Sequence, residues 1–480
     1  MVKKSIGLNT FFNVTYKLLN IIFPLVTSSY LARVLGPSLI GKVDYARNIM
    51  SYFLVVASLG IPTYGMREIA NHRNDLDKKN QVFSELFVLN GICSFICSIF
   101  YILCVFTINR FALDYKLYLC TGLTLFMNFI NVDWVYSGDE EYVYISTRSF
   151  VIKVLSIISI FVFVHDENDY IVYSLITSLA TTGSYVFNVF NLKKHVKFSV
   201  NHLTFQRHIR PILVLFVTLL ASDLYNQIDI TMLGIHYDDS IVGYYSNAIK
   251  LIRIVYSISV TIGATILPRM CLLYKENKKT EFNNLFWRTF LIILMCALPS
   301  LVGIFIVSGD AVVIMFGEKF IPSINIVRIL TPIVLIISVS YLIGSVVLTS
   351  TNNEKYLLRA TISGAIVNII LNAILIPLYS TTGAAIASII GELVVFMVHF
   401  KYGKQYINKS LKINEIAKVL IALFIMGVSV CFIQNILSNM LIRLIVSIFV
   451  GVIVYVLALL LVKNDLAIYY TRKIINKFIR

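Results

Sequence analysis

Apolar runs of about 20 residues recur along this chain from residue 10 to residue 462, and that is the length an α-helix needs to cross the hydrocarbon core of a bilayer. The runs are continuously apolar, whereas the strands of a membrane barrel alternate apolar and polar residues. Only 14% of the residues are charged, well below the roughly 25% of a soluble globular protein. The sequence therefore predicts an all-α polytopic membrane protein.

Breaks rich in Gly, Pro, Asn or charge predict about fourteen membrane-spanning helices. They begin near residues 10, 42, 85, 115, 145, 169, 209, 243, 286, 322, 357, 382, 416 and 441. We expect helices 1–6 (residues 1–200) to form an N-terminal lobe and helices 7–12 (residues 201–405) to form a C-terminal lobe around a central cavity. Residues 406–480 add helices 13 and 14 and a cytoplasmic basic tail.

The formal net charge of +16 is distributed unevenly among the loops. If the N-terminus is cytoplasmic, 29 of the 41 Lys and Arg residues lie on the cytoplasmic side and six lie on the opposite side. This bias satisfies the positive-inside rule, so both termini are predicted to be cytoplasmic and the charge requires no nucleic-acid partner. The same topology places Asp238 and Asp310 in external loops.

A weak internal repeat relates two segments of the chain. "LGPSLIGKVDYARNI" (35–49) aligns with "LGIHYDDSIVGYYSNAIKL" (233–251), so that Gly41 matches Gly243 and Ala46 matches Ala248. Parallel repeats are common in transporters. The repeat therefore favours two lobes of the same hand, with a cavity that opens to one side at a time.

Basic side chains inside the predicted spans outnumber acidic ones. Charged groups in a membrane are costly unless they face a partner or a cavity. Lys17, Arg47, Lys250 and Arg253 are the candidate substrate-binding residues, because such a cavity favours an anionic passenger and suits a phosphate or pyrophosphate group. A second interpretation of Arg47 is a local pair with Asp44, three residues earlier on the same helix.

Three acidic residues in the spans are candidates for coupling transport to protons or sodium ions. Asp223 and Asp229 share one face of predicted helix 7, together with Asn226. Glu392 follows a stripe of small residues at Gly383, Ala387 and Gly391, which lets another helix approach closely. Glu392 can therefore serve as a buried packing partner as well as a functional group.

Neither catalysis nor a cofactor is indicated by the sequence. No HExxH, GxSxG or Walker-type motif occurs, and the seven cysteines form no CxxC pair. The predicted external loops are short, which argues against a membrane-embedded polysaccharide polymerase or acyltransferase. We therefore predict no catalytic residue, no metal site and no cofactor.

Several segments, taken in order, resemble one family. They are "YLARVLGPSLIGKVDYA", "GIPTYGMREIA", "QIDITMLG" leading to "VGYYSNAIKL" and "ILPR", "FGEKF", and "VNIILNAILIPLYSTTGAAIASIIGE". Together they resemble the bacterial oligosaccharide or O-antigen flippases, within the multidrug/oligosaccharidyl-lipid/polysaccharide exporter superfamily. The resemblance covers about residues 5–400.

The resemblance implies a flippase that moves an undecaprenyl-pyrophosphate-linked oligosaccharide across the bacterial inner membrane by alternating access, driven by an ion gradient. The polysaccharide polymerase and the chain-length machinery are candidate protein partners. Members of the lipid II branch carry additional arginines in the first helix, where this chain has only Lys17 before Arg33. A multidrug or cation extruder of the same fold is the alternative, although the basic excess within the spans argues against it.

Overall fold

The structure is a computed structural model that describes residues 6–199, 203–408 and 413–478, with side chains described for residues 26–473 of these ranges. All regular secondary structure in these ranges is helical. Ten helical segments among the described residues are long and apolar enough to cross a membrane. The prediction of an all-helical polytopic membrane protein is therefore confirmed.

Seventeen α-helices follow one another along the described chain. They are α1 (Ile6–Ser58), α2 (Ile61–Asn71), α3 (Leu76–Thr107), α4 (Asn109–Leu113), α5 (Tyr115–Phe126), α6 (Asp133–Gly138), α7 (Tyr142–Phe163), α8 (Tyr170–Leu192), α9 (Gln206–His236), α10 (Asp239–Lys275), α11 (Lys279–Phe316), α12 (Ser323–Leu330), α13 (Pro332–Tyr341), α14 (Lys355–Gly403), α15 (Ile413–Ile436), α16 (Met440–Leu461) and α17 (Asp465–Phe478). A π-helical turn, Leu342–Leu348, follows α13 directly.

Two of these helices are broken in the middle. Helix α1 breaks at Gly36, whose φ of 71° suits a glycine because it has no Cβ, and Pro37 follows. Helix α14 breaks at Ser380, with a φ of 51°. Every predicted helix start therefore lies near a helix start or one of these breaks, with the largest difference at 85 against Leu76. The ten membrane-crossing segments correspond to the fourteen predicted spans when α1 and α14 are each counted as two helices and when α5 and α8 are included.

The chain divides into two compact units. One comprises the chain up to Gly234 together with Asp238–Gly243, and the other comprises Ile235–Tyr237 and everything from Tyr244 onward. This division groups α9 with the N-terminal helices, whereas the sequence analysis assigned it to the C-terminal lobe. The predicted lobes were inferred from the internal repeat of the sequence, whereas the two units are defined by contacts in the structure. The two six-helix lobes therefore stay a prediction.

The first unit has a core beside the amphipathic helix α2. The buried face of α2 carries Ile61, Tyr64 and Ile69, which pack with Phe83 of α3 and with Trp134 of α6. Three of the six exposed positions of α2 are polar, whereas no charged side chain lies on its buried face.

The two segments of the predicted repeat contact each other within the first unit. A Cβ added to Gly41 would lie 1.7 Å from the backbone oxygen of Asp239, and one added to Gly243 would lie 2.0 Å from that of Pro37. Only glycine permits this approach of two backbones. Beside it, Arg110 Nη2 donates to Asp239 Oδ1 at 2.6 Å and its guanidinium lies 4.2 Å from the ring centroid of Tyr45.

In the second unit, α15 and α16 are attached to α11 by a buried ion pair. Asp310 of α11 is 3% exposed and accepts two hydrogen bonds from Arg443 of α16. Gln434 of α15 donates to the same carboxylate at 3.1 Å. The prediction that Asp310 lies in an external loop is therefore wrong, because α11 continues to Phe316 and Arg443 compensates the buried charge. Asp238 lies in the exposed connection between α9 and α10, and the external side of this loop stays a prediction.

Candidate functional site

Arg47 lies in the second half of α1 and is half-buried in a predicted span. Its Nη1 donates to the hydroxyl of Tyr173 at 3.0 Å, and its Nη2 donates to Thr177 Oγ1. The guanidinium carbon also lies 4.6 Å from the ring centroid of Tyr173. Asp44 also lies close enough to interact electrostatically with the Arg47 guanidinium. The predicted local pair of Asp44 with Arg47 is therefore compatible with the contacts to α8. Helix α8 therefore orients a cation through neutral hydroxyl groups.

The same half of α1 presents a row of polar side chains to α9. Asn48 Nδ2 donates to the backbone oxygen of Gln227 and to Thr231 Oγ1, both at 2.9 Å. Ser51 Oγ donates to Asp223 Oδ2 at 3.2 Å. The hydroxyls of Tyr52 and Thr231 are 2.7 Å apart. We call this set of side chains, together with Asp229, the α1–α9 polar cluster.

Asp223 and Asp229 both belong to this cluster. Asp229 is 7% exposed, and the phenol of Tyr52 lies near both carboxylates. Asn48 is 3% exposed, and within the described part of the chain its Oδ1 atom has no hydrogen-bond partner. Carboxylate, amide and hydroxyl oxygens are the ligands that hard cations prefer. The cluster can therefore hold a proton, or offer oxygens to a sodium ion.

Lys250, Arg253 and Glu392 lie in the second unit. Lys250 and Arg253 are half-buried on α10, and the preceding Asn247 is fully buried. The phenol of Tyr256 lies near both Arg253 and Glu392 of α14. Arg253 and Glu392 therefore both lie within electrostatic range of one tyrosine, which is compatible with the packing role predicted for Glu392 as well as with a functional one.

The small residues of α14 that the sequence singled out lie at a close approach between the two halves of this helix, and a neighbouring serine contacts α10. Gly383 approaches the first half of α14 so closely that an added Cβ would lie 2.2 Å from the backbone oxygen of Leu375. Ala387 is fully buried, and Tyr245 of α10 bonds to Ser388 with 2.9 Å between the hydroxyl oxygens. These contacts position Glu392, one turn further along.

The predicted residues thus fall into separate groups. Arg47, Asp223 and Asp229 lie in the first unit, and Lys250, Arg253 and Glu392 lie in the second. Lys17 lies within α1, but its side chain is outside the described residues.

Sequence reasoning missed a second buried charge cluster, at the start of α3. Glu85 is fully buried and accepts hydrogen bonds from Arg207 Nη2 at 2.5 Å and from His208 Nε2 at 2.6 Å. His208 Nδ1 lies 2.9 Å from the hydroxyl of Tyr64. The signal was a glutamate set among the apolar residues of α3 that begin at Val82. These contacts attach the start of α9 to α2 and α3.

Charged and amide side chains embedded in membrane-crossing helices are characteristic of solute and ion pathways, so the fold and these clusters are typical of a membrane transporter. A family model described as "Polysaccharide biosynthesis protein" matches residues 6–274, more than half of the chain. The chain therefore belongs to that family, and the resemblance found in its motifs is confirmed.

Two relatives and one solved structure illustrate the likeness. The chain is 19% identical over 390 residues to the "Putative O-antigen transporter" of Shigella dysenteriae, covering 80% of this chain and 96% of that protein. It is 25% identical over 211 residues to the "Probable low-salt glycan biosynthesis flippase Agl15" of Haloferax volcanii, so the match spans only 44% of either protein. The lipid II flippase MurJ, solved in an inward closed conformation, matches with a TM-score of 0.79 at 16% identity, covering 97% of this chain and 100% of that one. This last likeness shows the fold alone.

Proposed function

We propose that this protein is a flippase that moves an undecaprenyl-pyrophosphate-linked oligosaccharide from the cytoplasmic to the periplasmic leaflet of the bacterial inner membrane by alternating access. The observation that carries the proposal is Arg47, a cation oriented inside a predicted span by the hydroxyls of Tyr173 and Thr177. Guanidinium groups bind phosphate and pyrophosphate through paired, charge-assisted hydrogen bonds. The hydroxyls of Tyr173 and Thr177 orient the guanidinium without neutralising it, and an anionic substrate would compete with Asp44 for its charge.

Two other sets of residues support this function. Lys250 and Arg253 supply further positive charge for the pyrophosphate or the sugars, with Glu392 as a compensating carboxylate near Arg253. Lys17 is proposed for the same role from the sequence. The α1–α9 polar cluster is proposed as the coupling site, where Asp229 and Asp223 exchange a proton or bind sodium during the cycle.

The same proposal includes the cellular location, the membrane topology and the protein partners. A lipid-linked substrate requires a multi-pass protein of the inner membrane, and the charge bias predicts that both termini are cytoplasmic. The fourteen spans, the two six-helix lobes and their central cavity belong to this proposal. The polysaccharide polymerase and the chain-length machinery are the protein partners to test.

Complementation tests the role of Arg47. The variant Arg47→Gln, produced in cells that lack their own flippase for a surface polysaccharide, should reduce display about tenfold or more, since a hydrogen bond to a charged group contributes about 1.5–3 kcal/mol. Quantitative blotting of the polysaccharide, at matched protein levels in the membrane, is the measurement. The double variant Lys250→Ala/Arg253→Ala should lose display as well.

The matched control is Lys194→Gln, which removes one exposed positive charge outside the spans and should leave display unchanged. Full display by Arg47→Gln or by the Lys250/Arg253 double variant would refute the site assignment. Failure of the wild-type protein to support display of any lipid-linked polysaccharide would refute the flippase proposal itself.

A further inference from the structure

The two halves of α14 form a small cavity where the first half begins and the second half ends. The cavity has a volume of about 360 Å³ and is lined by Arg359, Ile362, Ser363, Val398, Lys401 and Tyr402. Arg359 and Lys401 are exposed at its rim. By the charge bias, this end of the helices is the predicted cytoplasmic end.

Two stacked tyrosines hold the basic residues beside the cavity. The rings of Tyr356 and Tyr402 are 3.8 Å apart between centroids and nearly parallel, with 9° between their planes. Lys355 Nζ and Arg359 Cζ lie 5.2 Å and 5.3 Å from the centroid of the Tyr356 ring. Lys401 Nζ lies 5.6 Å from the centroid of Tyr402. Cation–π contacts therefore keep three positive charges around one stacked pair.

These charges are not neutralised locally. In the ranges that the structure describes, no carboxylate lies within ion-pair distance of Lys355, Arg359 or Lys401. Ser363 adds a hydroxyl to the wall of the cavity, one turn beyond Arg359. Two or three cations with an adjacent hydroxyl form a complementary site for a phosphate group.

Apolar side chains continue from the cavity toward the middle of the hairpin. Ile366 and Ile370 on the first half of α14 are each 53% exposed, and Met397 on the second half is 60% exposed. In a membrane these side chains contact acyl chains. A phosphate-binding end followed by an apolar surface matches the two parts of a phospholipid.

We propose that Arg359, Lys401 and Ser363, with Lys355 beside them, bind the headgroup phosphate of an anionic phospholipid of the cytoplasmic leaflet. Basic pockets between helices at the cytoplasmic membrane surface bind such headgroups. A lipid-linked pyrophosphate has the same chemistry, but the exposed position of both rim cations suits a resident membrane lipid. The assignment does not depend on which substrate is transported.

Native mass spectrometry of the purified full-length protein tests this site. The protein is titrated with phosphatidylglycerol, with phosphatidylcholine, with undecaprenyl pyrophosphate and with inorganic phosphate. We expect one phosphatidylglycerol to bind with higher affinity than the others, and the double variant Arg359→Gln/Lys401→Gln to weaken this binding about tenfold or more. The double variant Lys194→Gln/Arg472→Gln, which removes one exposed Lys and one exposed Arg outside the cavity lining, should bind as the wild type does.

Each other result decides against the assignment. An equal loss of phosphatidylglycerol binding in both double variants would show that the lipid responds to positive charge in general and not to this cavity. Unchanged binding in Arg359→Gln/Lys401→Gln would show that these residues do not form the site. Preference for undecaprenyl pyrophosphate, lost in the same variant, would make the cavity a substrate site. Equal binding of phosphatidylcholine would show that net negative charge is not recognised. Elution of both variants as the wild type does in size-exclusion chromatography verifies that they fold.

Discussion

Asp139 follows α6 and is almost fully buried beside two basic side chains. Lys79 Nζ donates to both carboxylate oxygens at 2.8 Å, and His195 Nδ1 donates to Oδ2 at 2.8 Å. Burial by itself raises the pKa of Asp139, but the hydrogen bonds from His195 and Lys79 outweigh it and hold the pKa below its usual range. The ionised carboxylate therefore stabilises the folded protein.

The variant Asp139→Asn should lower the unfolding free energy by about 3–5 kcal/mol at pH 7, because it leaves the buried Lys79 without its counter-charge. Since the folded-state pKa is depressed, the stabilisation is complete above the unfolded pKa of about 4 and is lost as the pH falls through the folded-state value. Thermal unfolding of the purified protein should therefore show a large difference from the wild type at pH 7, and a smaller one below about pH 4.

Asp75→Asn is the matched control for Asp139→Asn. Asp75 forms an exposed pair with Lys78 and caps α3, and asparagine caps a helix equally well. Its unfolding midpoint should stay close to that of the wild type. A constant difference between Asp139→Asn and the wild type from pH 7 to pH 3 would contradict the proposed role of the ionised carboxylate.

The sequence predicts individual candidate site residues when their chemistry conflicts with their surroundings. Arg47, Asp223 and Asp229 stand out because charge is rare in apolar runs. Tyr173 and Thr177, which bind Arg47, do not stand out, since hydroxyl side chains are common in membrane helices. Their role depends on packing between residues more than 120 positions apart in the chain, and no local pattern records it.

Helices α1 and α10 approach each other closely at Gly41 and Gly243. The variant Gly41→Ala should destabilise the protein by about 1–3 kcal/mol or more, because its new Cβ meets backbone atoms that cannot rotate away. The unfolding midpoint and the yield of folded protein in membranes are the measurements. Gly243→Ala should behave in the same way.

The control for this contact is Gly183→Ala in α8, where an added Cβ meets no atom within 4 Å. Alanine favours helix by about 0.5–1 kcal/mol over glycine, so this variant should be neutral or slightly more stable. Equal stability of Gly41→Ala and Gly183→Ala would refute the close approach.

Helix positions were predictable, and helix packing was not. The starts of the helices follow from breaks in hydropathy and from residues such as Gly36 and Pro37. Grouping α9 with the N-terminal helices was not predictable, because lipid tails are as apolar as leucine and a lipid-facing surface has the same composition as a buried one.

For the whole molecule, the charge bias predicts the orientation in the membrane, and cysteine labelling can test it. Leu113 is 85% exposed in the connection between α3 and α5, and Asn277 is exposed between α10 and α11. With a membrane-impermeant thiol reagent on intact cells, Leu113→Cys should be labelled and Asn277→Cys should be labelled only after permeabilisation. The wild type reports the reactivity of the seven native cysteines, and the reverse labelling pattern would contradict cytoplasmic termini.

The contact between Gly41 and Gly243 also limits how these two positions can vary. The two glycines are equivalent positions in the predicted repeat, and each closely approaches the segment that contains the other. A bulkier residue at one of these positions should therefore be accompanied in homologues by a compensating change at the other.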